Sequence, residues 1–126
     1  LEEARRLINE HPKKLSVDEM YKVAGSYERG SKEYQHVMDV AAKTYPHEVA
    51  AAVNAAVARL NAGDCEGALK ALKPTDQEDA NVQLTMGYAH AVCGNYDEAR
   101  EFWQKAAAQG LPEAQHNLNE LAKSLE

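Results

Sequence analysis

Apolar and polar residues recur along most of the chain with the spacing of an α-helix. Apolar side chains return every three or four residues, as at Val53, Val57 and Leu60, and strand-like alternation of single residues does not persist anywhere. Glycine, proline and serine interrupt this pattern, and such residues begin or end helices. The sequence therefore predicts an all-α fold. The predicted helices span residues 1–9, 17–27, 31–44, 47–61, 65–73, 77–93, 96–109 and 112–125.

A series of four small or turn-forming residues occurs twice at a fixed offset. The two series are Ala56, Gly63, Asp64 and Ala68, and then Gly87, Gly94, Asn95 and Ala99, each 31 residues further on. Small residues let two helices cross closely, glycine can adopt the positive φ that ends the first helix, and Asp or Asn can cap the second. One hairpin cannot bury its apolar face alone, so we predict helical hairpins that repeat and stack.

The second copy of this series resembles a tetratricopeptide repeat. It consists of residues 80–89, then Gly94-Asn95-Tyr96-Asp97-Glu98-Ala99, then Phe102 and Trp103, two aromatic residues that can fill the space between hairpins. The resemblance implies an α-α superhelix, a TPR-like solenoid of two to three hairpins with a C-terminal capping helix. It also implies that the first helix of each hairpin lines a concave surface.

Both copies depart from the tetratricopeptide pattern. The family repeat has about 34 residues and two bulky aromatic positions in its first helix. The chain has Gln83 and His90 at these positions in one copy, and Ala52 and Arg59 in the other. Pro74 shortens the second helix of the earlier copy, because proline lacks the N–H that a continuing helix needs. The first helix of that copy is rich in alanine, so we expect it to be buried on more than one side.

The length of 126 residues is typical of one domain, and the pattern divides it into five segments. These are an N-terminal helix and linker (1–14), a degenerate repeat (15–48), a shortened repeat (49–79), the best-matching repeat (80–111) and a capping helix (112–126). Ser16 and Glu19 have the spacing of a capping box, which predicts a helix start after Ser16.

Charge argues against nucleic-acid binding, and hydropathy argues against a transmembrane helix in this segment. The chain has 14 basic and 20 acidic residues and a formal net charge of −6, which disfavours contact with the phosphate backbone of nucleic acids. No apolar run approaches the ~20 residues of a transmembrane helix. We therefore expect neither a nucleic-acid ligand nor a membrane span in this segment.

The order of the predicted helices and repeats also resembles that of a second group of proteins. Residues 1–5, 15–24 and 110–114, together with the two repeats, are similar to the C-terminal helical region of Bacteroidetes OmpA-like cell-envelope proteins. This resemblance implies a periplasmic or outer-membrane setting and a role in binding or assembly. Without it, a cytoplasmic location is expected. The chain begins at Leu1 rather than at Met, so we expect it to be a segment of a longer protein.

Two cysteines and a histidine are the candidates for metal binding. His90 and Cys93 share a helix face and Cys65 is expected nearby, but three ligands without a fourth do not complete a zinc site. Helices stacked about 8–10 Å apart do not readily place two Cα atoms within the ~7 Å of a disulfide, so we expect free thiols. Phosphate-binding loops and catalytic motifs do not occur. We predict no metal, no cofactor and no enzymatic activity.

The functional residues are expected on the concave surface. The predicted groove consists of Val53, Asn54, Val57, Leu60, Leu84, Tyr88, Ala91, Val92, His116 and Asn117. Its apolar positions follow from helical spacing. Asn54 and Asn117 are assigned by resemblance to clamp-type repeats that hold a peptide backbone or carboxylate, although the Lys and Arg of such clamps are absent.

The predicted function is a non-catalytic scaffold that binds a protein or peptide, with a role in cell-envelope assembly if the second resemblance holds. Two alternatives remain open. The chain is compatible with a structural or self-association module that packs on a missing N-terminal domain, and, less readily, with a metal-binding or enzymatic domain. The sequence determines neither the partner nor the oligomeric state.

Overall fold

The computed structural model describes residues 1–124. Within this range the chain forms eight α-helices, one 3₁₀ turn and no strand, which confirms the predicted all-α class. The helices are α1 (Glu2–Glu10), α2 (Val17–Gly25), α3 (Lys32–Thr44), α4 (Val49–Asn61), α5 (Cys65–Leu72), α6 (Ala80–Val92), α7 (Tyr96–Ala108) and α8 (Pro112–Ser124), and the 3₁₀ turn is Pro12–Lys14. The predicted end of the last helix, Leu125, lies outside the described residues. A tetratricopeptide-like superhelix stays a prediction.

Local signals set several helix ends as predicted. The Ser16 hydroxyl accepts the Glu19 N–H at 3.1 Å, and the Glu19 carboxylate accepts the Ser16 N–H at 2.8 Å, which completes the capping box of α2. Gly94 has φ +85° after α6, as its predicted turn role requires. Asn95 occupies the N-cap position of α7, but its side chain makes no capping hydrogen bond there. Asp64, its counterpart before α5, does accept the Gly67 N–H at 2.9 Å.

The segment between α5 and α6 is longer than predicted. Helix α6 begins at Ala80 rather than at Gln77, because the Asp79 carboxylate accepts the N–H groups of Asn81 and Val82 at 2.8 and 3.1 Å and so caps the helix there. Within the segment, the Thr75 hydroxyl donates to the Leu72 carbonyl at 2.6 Å. The loop is therefore held by its own side chains.

Helix α4 is the central element of the fold, as its alanine content predicts. It packs against α3, α5 and α6. Ala51, Ala52 and Ala56 are at most 1% exposed, so neighbouring helices lie directly against its backbone. The prediction that this helix is buried on more than one side is confirmed.

Within residues 1–124 the apolar residues form three cores in sequence order. The first joins α1, α2, α3 and the start of α4 around Met20 and Val23, the second joins α4, α5 and α6 around Ala56 and Leu72, and the third joins α7 and α8 around Trp103. Each core therefore forms between consecutive helices, and the α4 and α6 helices connect one core to the next.

Gly87 and Trp103 make a close contact between α6 and α7. A Cβ atom at Gly87 would lie 2.2 Å from Trp103 Nε1, and the indole donates this N–H to the Leu84 carbonyl at 3.1 Å. The predicted need for a small residue at position 87 is confirmed. The group that requires it is the indole of Trp103.

Cys65 and Cys93 form a disulfide with Cα atoms 5.6 Å apart, so the expectation of free thiols was wrong. That expectation used the spacing of helix axes. Cys65 is the first residue of α5 and Cys93 directly follows α6, and at these helix ends the two backbones approach more closely than the axes do. The bond ties the shortened repeat to the best-matching repeat. It also removes two of the three candidate zinc ligands, because metals bind the thiolate.

Candidate interaction surface

Helix α4 contributes an apolar edge to the predicted groove. Val57 is 42% exposed, while Val53 and Leu60 are half-buried against the second core. Asn54 is half-buried too, and within residues 1–124 its Oδ1 atom has no hydrogen-bond partner although solvent does not reach it. Three of these four positions therefore contribute to packing, and Val57 is the one that faces solvent.

Helix α6 presents the larger apolar surface. Tyr88 is 37% exposed and Val92 is 50% exposed, while Leu84 and Ala91 are half-buried against the third core. The ring of Tyr88 packs edge-on against the buried indole of Trp103, with ring centroids 5.7 Å apart and planes at 72°. Tyr88 is thus both an exposed side chain and part of the α6–α7 contact.

Next to this surface, α6, α7 and α8 border a shallow, solvent-open cavity of about 220 Å³, which we call the α6–α8 cavity. Its lining residues are Ala91, Tyr96, Trp103, Asn117, Glu120, Leu121 and Ser124. Asn117 Nδ2 is shielded from solvent and has no hydrogen-bond partner within residues 1–124. His116, the other predicted groove residue of α8, is exposed and does not line the cavity.

The structure brings part of the predicted set together. Ala91 and Asn117, which are distant in sequence, share the α6–α8 cavity, and Tyr88 contacts the same indole that forms one of its walls. Sequence reasoning missed Tyr96, which is 50% exposed and also lines the cavity. The groove was sought on the first helix of each hairpin, and Tyr96 is the first residue of α7. An aromatic residue directly after a Gly-Asn turn was the available signal.

His90 holds a position where the family repeat has a bulky aromatic residue. Its ring stacks on Phe102, with centroids 5.4 Å apart and planes at 10°, so the interhelical contact exists. Its Nδ1 atom is shielded from solvent without a hydrogen-bond partner among the described residues, so the ring is not satisfied there.

Two groups of α2, outside the predicted groove, have perturbed pKa values. The hydrogen bond from the Ser16 backbone lowers the pKa of Glu19, and burial raises the pKa of the Tyr21 hydroxyl. Both causes are structural, one a helix cap and the other packing. In the part of the chain that the structure describes, no three His, Cys, Asp or Glu side chains group as metal ligands.

No family model and no curated protein matches this sequence. None of the helices between residues 1 and 124 is both long enough and apolar enough to cross a bilayer.

Proposed function

We propose that this chain is a non-catalytic interaction module that binds an apolar peptide segment of another protein. The segment lies on Tyr88 and Val92 and inserts one side chain into the α6–α8 cavity. The observation that carries the proposal is that exposed apolar side chains adjoin a cavity containing an unpartnered amide, that of Asn117.

Tyr96 lines this cavity, Tyr88 contacts the Trp103 indole of its wall, and Val92 directly follows its lining residue Ala91. Among residues 1–124, five large hydrophobic residues are exposed, and four of them lie on α4, α6 and the start of α7. They are Val57, Tyr88, Val92 and Tyr96. Single exposed apolar residues are ordinary, but a group of them beside a cavity is typical of a binding surface.

Asn117 supplies the polar contact that such a surface needs. A buried amide N–H without an acceptor costs roughly 1–3 kcal/mol, and a peptide carbonyl entering the cavity would remove that cost. Glu120 is the charged residue among those that line the cavity. Because Glu120 pairs with Lys123 at 3.6 Å, the apolar part of the lining sets the preference, and the favoured peptide carries an aromatic or aliphatic anchor.

The disulfide bears on the location of the module. Disulfides persist in oxidising compartments and are rare in the cytosol. The Cys65–Cys93 bond therefore supports the periplasmic or outer-membrane setting over the cytoplasmic one. We accordingly place the proposed binding role in the cell envelope.

Peptide selection tests the proposal directly. A phage-displayed peptide library is selected on the immobilised protein, and enriched peptides are titrated by calorimetry against the parent and two variants. Val92→Ser and Asn117→Ala should each weaken binding by about 1–2 kcal/mol, because each removes one anchor contact. Leu1→Ser is the matched control, since Leu1 is 64% exposed but does not line the cavity.

Equal affinities for the parent, Val92→Ser and Asn117→Ala would place binding elsewhere, and a library without enriched peptides would reject a peptide-binding role. Circular dichroism melts establish that each variant is folded. Sedimentation of the parent and Val92→Ser adds a further criterion. A concentration-dependent dimer that Val92→Ser abolishes would assign the surface to self-association instead.

A further inference from the structure

Helix α5 is flanked by two clefts lined by basic side chains. The first, of about 440 Å³, lies among α3, α4 and α5 and is lined in part by Lys43, Arg59 and Lys70. The second, of about 540 Å³, lies between α5 and α6 and is lined in part by Lys70, Lys73 and His90. Lys70 borders both. We call them together the basic clefts.

The cations of the basic clefts have no acidic partner. Within residues 1–124, the ion pairs involve Arg6, Arg100 and Lys123, and none involves a cleft residue. Asp39 is the acidic residue that lines the first cleft, and its carboxylate accepts the Gln35 amide at 3.0 Å. In a chain with net charge −6, this local excess of positive charge runs against the overall composition.

The floors of the clefts are apolar. The first cleft is lined by small side chains and prolines, namely Ala42, Pro46, Ala55, Ala71 and Pro74. Leu69 and Met86 contribute to the second. A ligand that fits both features combines negative charge with small apolar groups.

The basic clefts are distinct from the surface proposed above. Arg59 follows Val57 by two residues and His90 follows Tyr88 by two, which turns each side chain about 200° around its helix. None of the ten predicted groove residues lines either cleft. Arg59 and His90 are separated by the 31-residue offset of the repeated series, and the shared residue Lys70 makes the two clefts neighbours along α5.

We propose that the basic clefts bind an acidic peptide segment of a partner protein. Its carboxylates pair with Lys43, Arg59 and Lys70, and its intervening small side chains rest on the apolar floors. A peptide fits better than a nucleic acid, because small side chains between its carboxylates can rest on the apolar floors, whereas a phosphate backbone offers those floors no apolar group.

Fluorescence anisotropy with defined probes tests this inference. The probe is a fluorescein-labelled peptide in which glutamate alternates with alanine, and the control probe has glutamine in place of glutamate. The parent should bind the glutamate peptide, bind it less as salt rises, and not bind the glutamine peptide. The triple variant Lys43→Gln, Arg59→Gln, Lys70→Gln should bind about tenfold more weakly, through loss of three charge contacts.

The matched control is the triple variant Lys13→Gln, Lys22→Gln, Arg29→Gln. It removes the same charge from exposed residues that line neither cleft, and it should retain parent affinity. Equal weakening in both variants would mean that net charge alone governs binding.

Other outcomes would also overturn the inference. No binding of the glutamate peptide at low salt would exclude acidic peptides, and tighter binding of labelled oligothymidylate would replace them with nucleic acid. Lys43, Arg59 and Lys70 each lie in the last turn of a helix, where a cation also favours the helix dipole, so thermal melts must show that the cleft variant is folded. Val92→Ser should leave affinity for the glutamate peptide unchanged, which separates this inference from the proposed function.

Discussion

At the scale of single residues, Trp103 of α7 makes the contacts that hold α6 against α7. Its indole occupies the space beside Gly87, donates to the Leu84 carbonyl and packs against Tyr88. Tyr88 is 37% exposed and belongs to the predicted groove, which makes it a candidate position for a binding test. Since Tyr88 contacts Trp103, its removal would also weaken the α6–α7 contact, and Val92 is the cleaner position for a binding test.

The variant Gly87→Ala should destabilise the protein by about 1–3 kcal/mol. Alanine favours a helix over glycine by roughly 1 kcal/mol, but the new methyl group would displace a bulky, hydrogen-bonded indole. Urea denaturation measures the change. Gly25→Ala is the control, because a Cβ at Gly25 meets nothing within 4 Å. If Gly87→Ala is as stable as the parent, the indole is not where the structure places it.

At the scale of elements, helix ends depend on capping side chains. Helix α2 begins at its capping box, and α6 begins where Asp79 caps it. The side chain of Gln83, within α6, holds this helix against the residue that follows α7. The buried Gln83 side chain accepts the Gln109 amide at 2.8 Å, and Gln109 also donates to the Glu78 carbonyl at 2.8 Å. These bonds tie α6 and the loop before it to Gln109, the residue that follows α7. Gln83 holds a position where the family repeat has an aromatic residue.

The capping box makes part of the stability depend on pH. The Ser16 N–H bond to its carboxylate lowers the pKa of Glu19 in the folded state. A lowered pKa contributes stability above the ordinary glutamate pKa, and that contribution is lost as the pH falls through the lowered value. The parent should therefore be more stable than Glu19→Gln at neutral pH, and the difference should shrink in acid. Thermal melts over a pH series measure it, and a difference independent of pH would contradict the role of the charge.

At the scale of the whole molecule, the disulfide connects the two predicted repeats, residues 49–79 and 80–111. Cys65 and Cys93 lie 28 residues apart in sequence, at the adjoining ends of α5 and α6. Three separate cores follow one another along the chain, and this bond links elements of the second core beyond their side-chain packing. The stability of the stack should therefore depend on oxidation.

Reduction of the disulfide should lower the free energy of unfolding by about 3–4 kcal/mol, because the unfolded chain regains the entropy that loop closure removes. Urea denaturation with and without dithiothreitol measures the loss. The variant Cys65→Ala, Cys93→Ala should have the stability of the reduced parent and should not respond to reductant. An unchanged parent in reductant, with thiols shown to be free, would mean that the bond does not stabilise the fold.

The sequence by itself determined the helices and most of their ends. Helical periodicity, Pro74, Gly94 and the Ser16 capping box act over a few residues, so a local pattern is enough to predict them. The alanine content of α4 likewise predicted its central position. Helical spacing also assigned Tyr88 and Val92 to a candidate surface, and the resemblance to clamp-type repeats added Asn117.

The tertiary structure decided which distant residues meet. The disulfide depends on how closely two helix ends approach, and the fit of Gly87 depends on the rotamer of Trp103. The basic clefts join Lys43, Arg59 and Lys70, which lie on three helices and form no stripe in the sequence. Such contacts depend on the angles and distances at which helices pack, and those are set by all of the side chains between them. A pattern over a few residues does not determine those angles and distances.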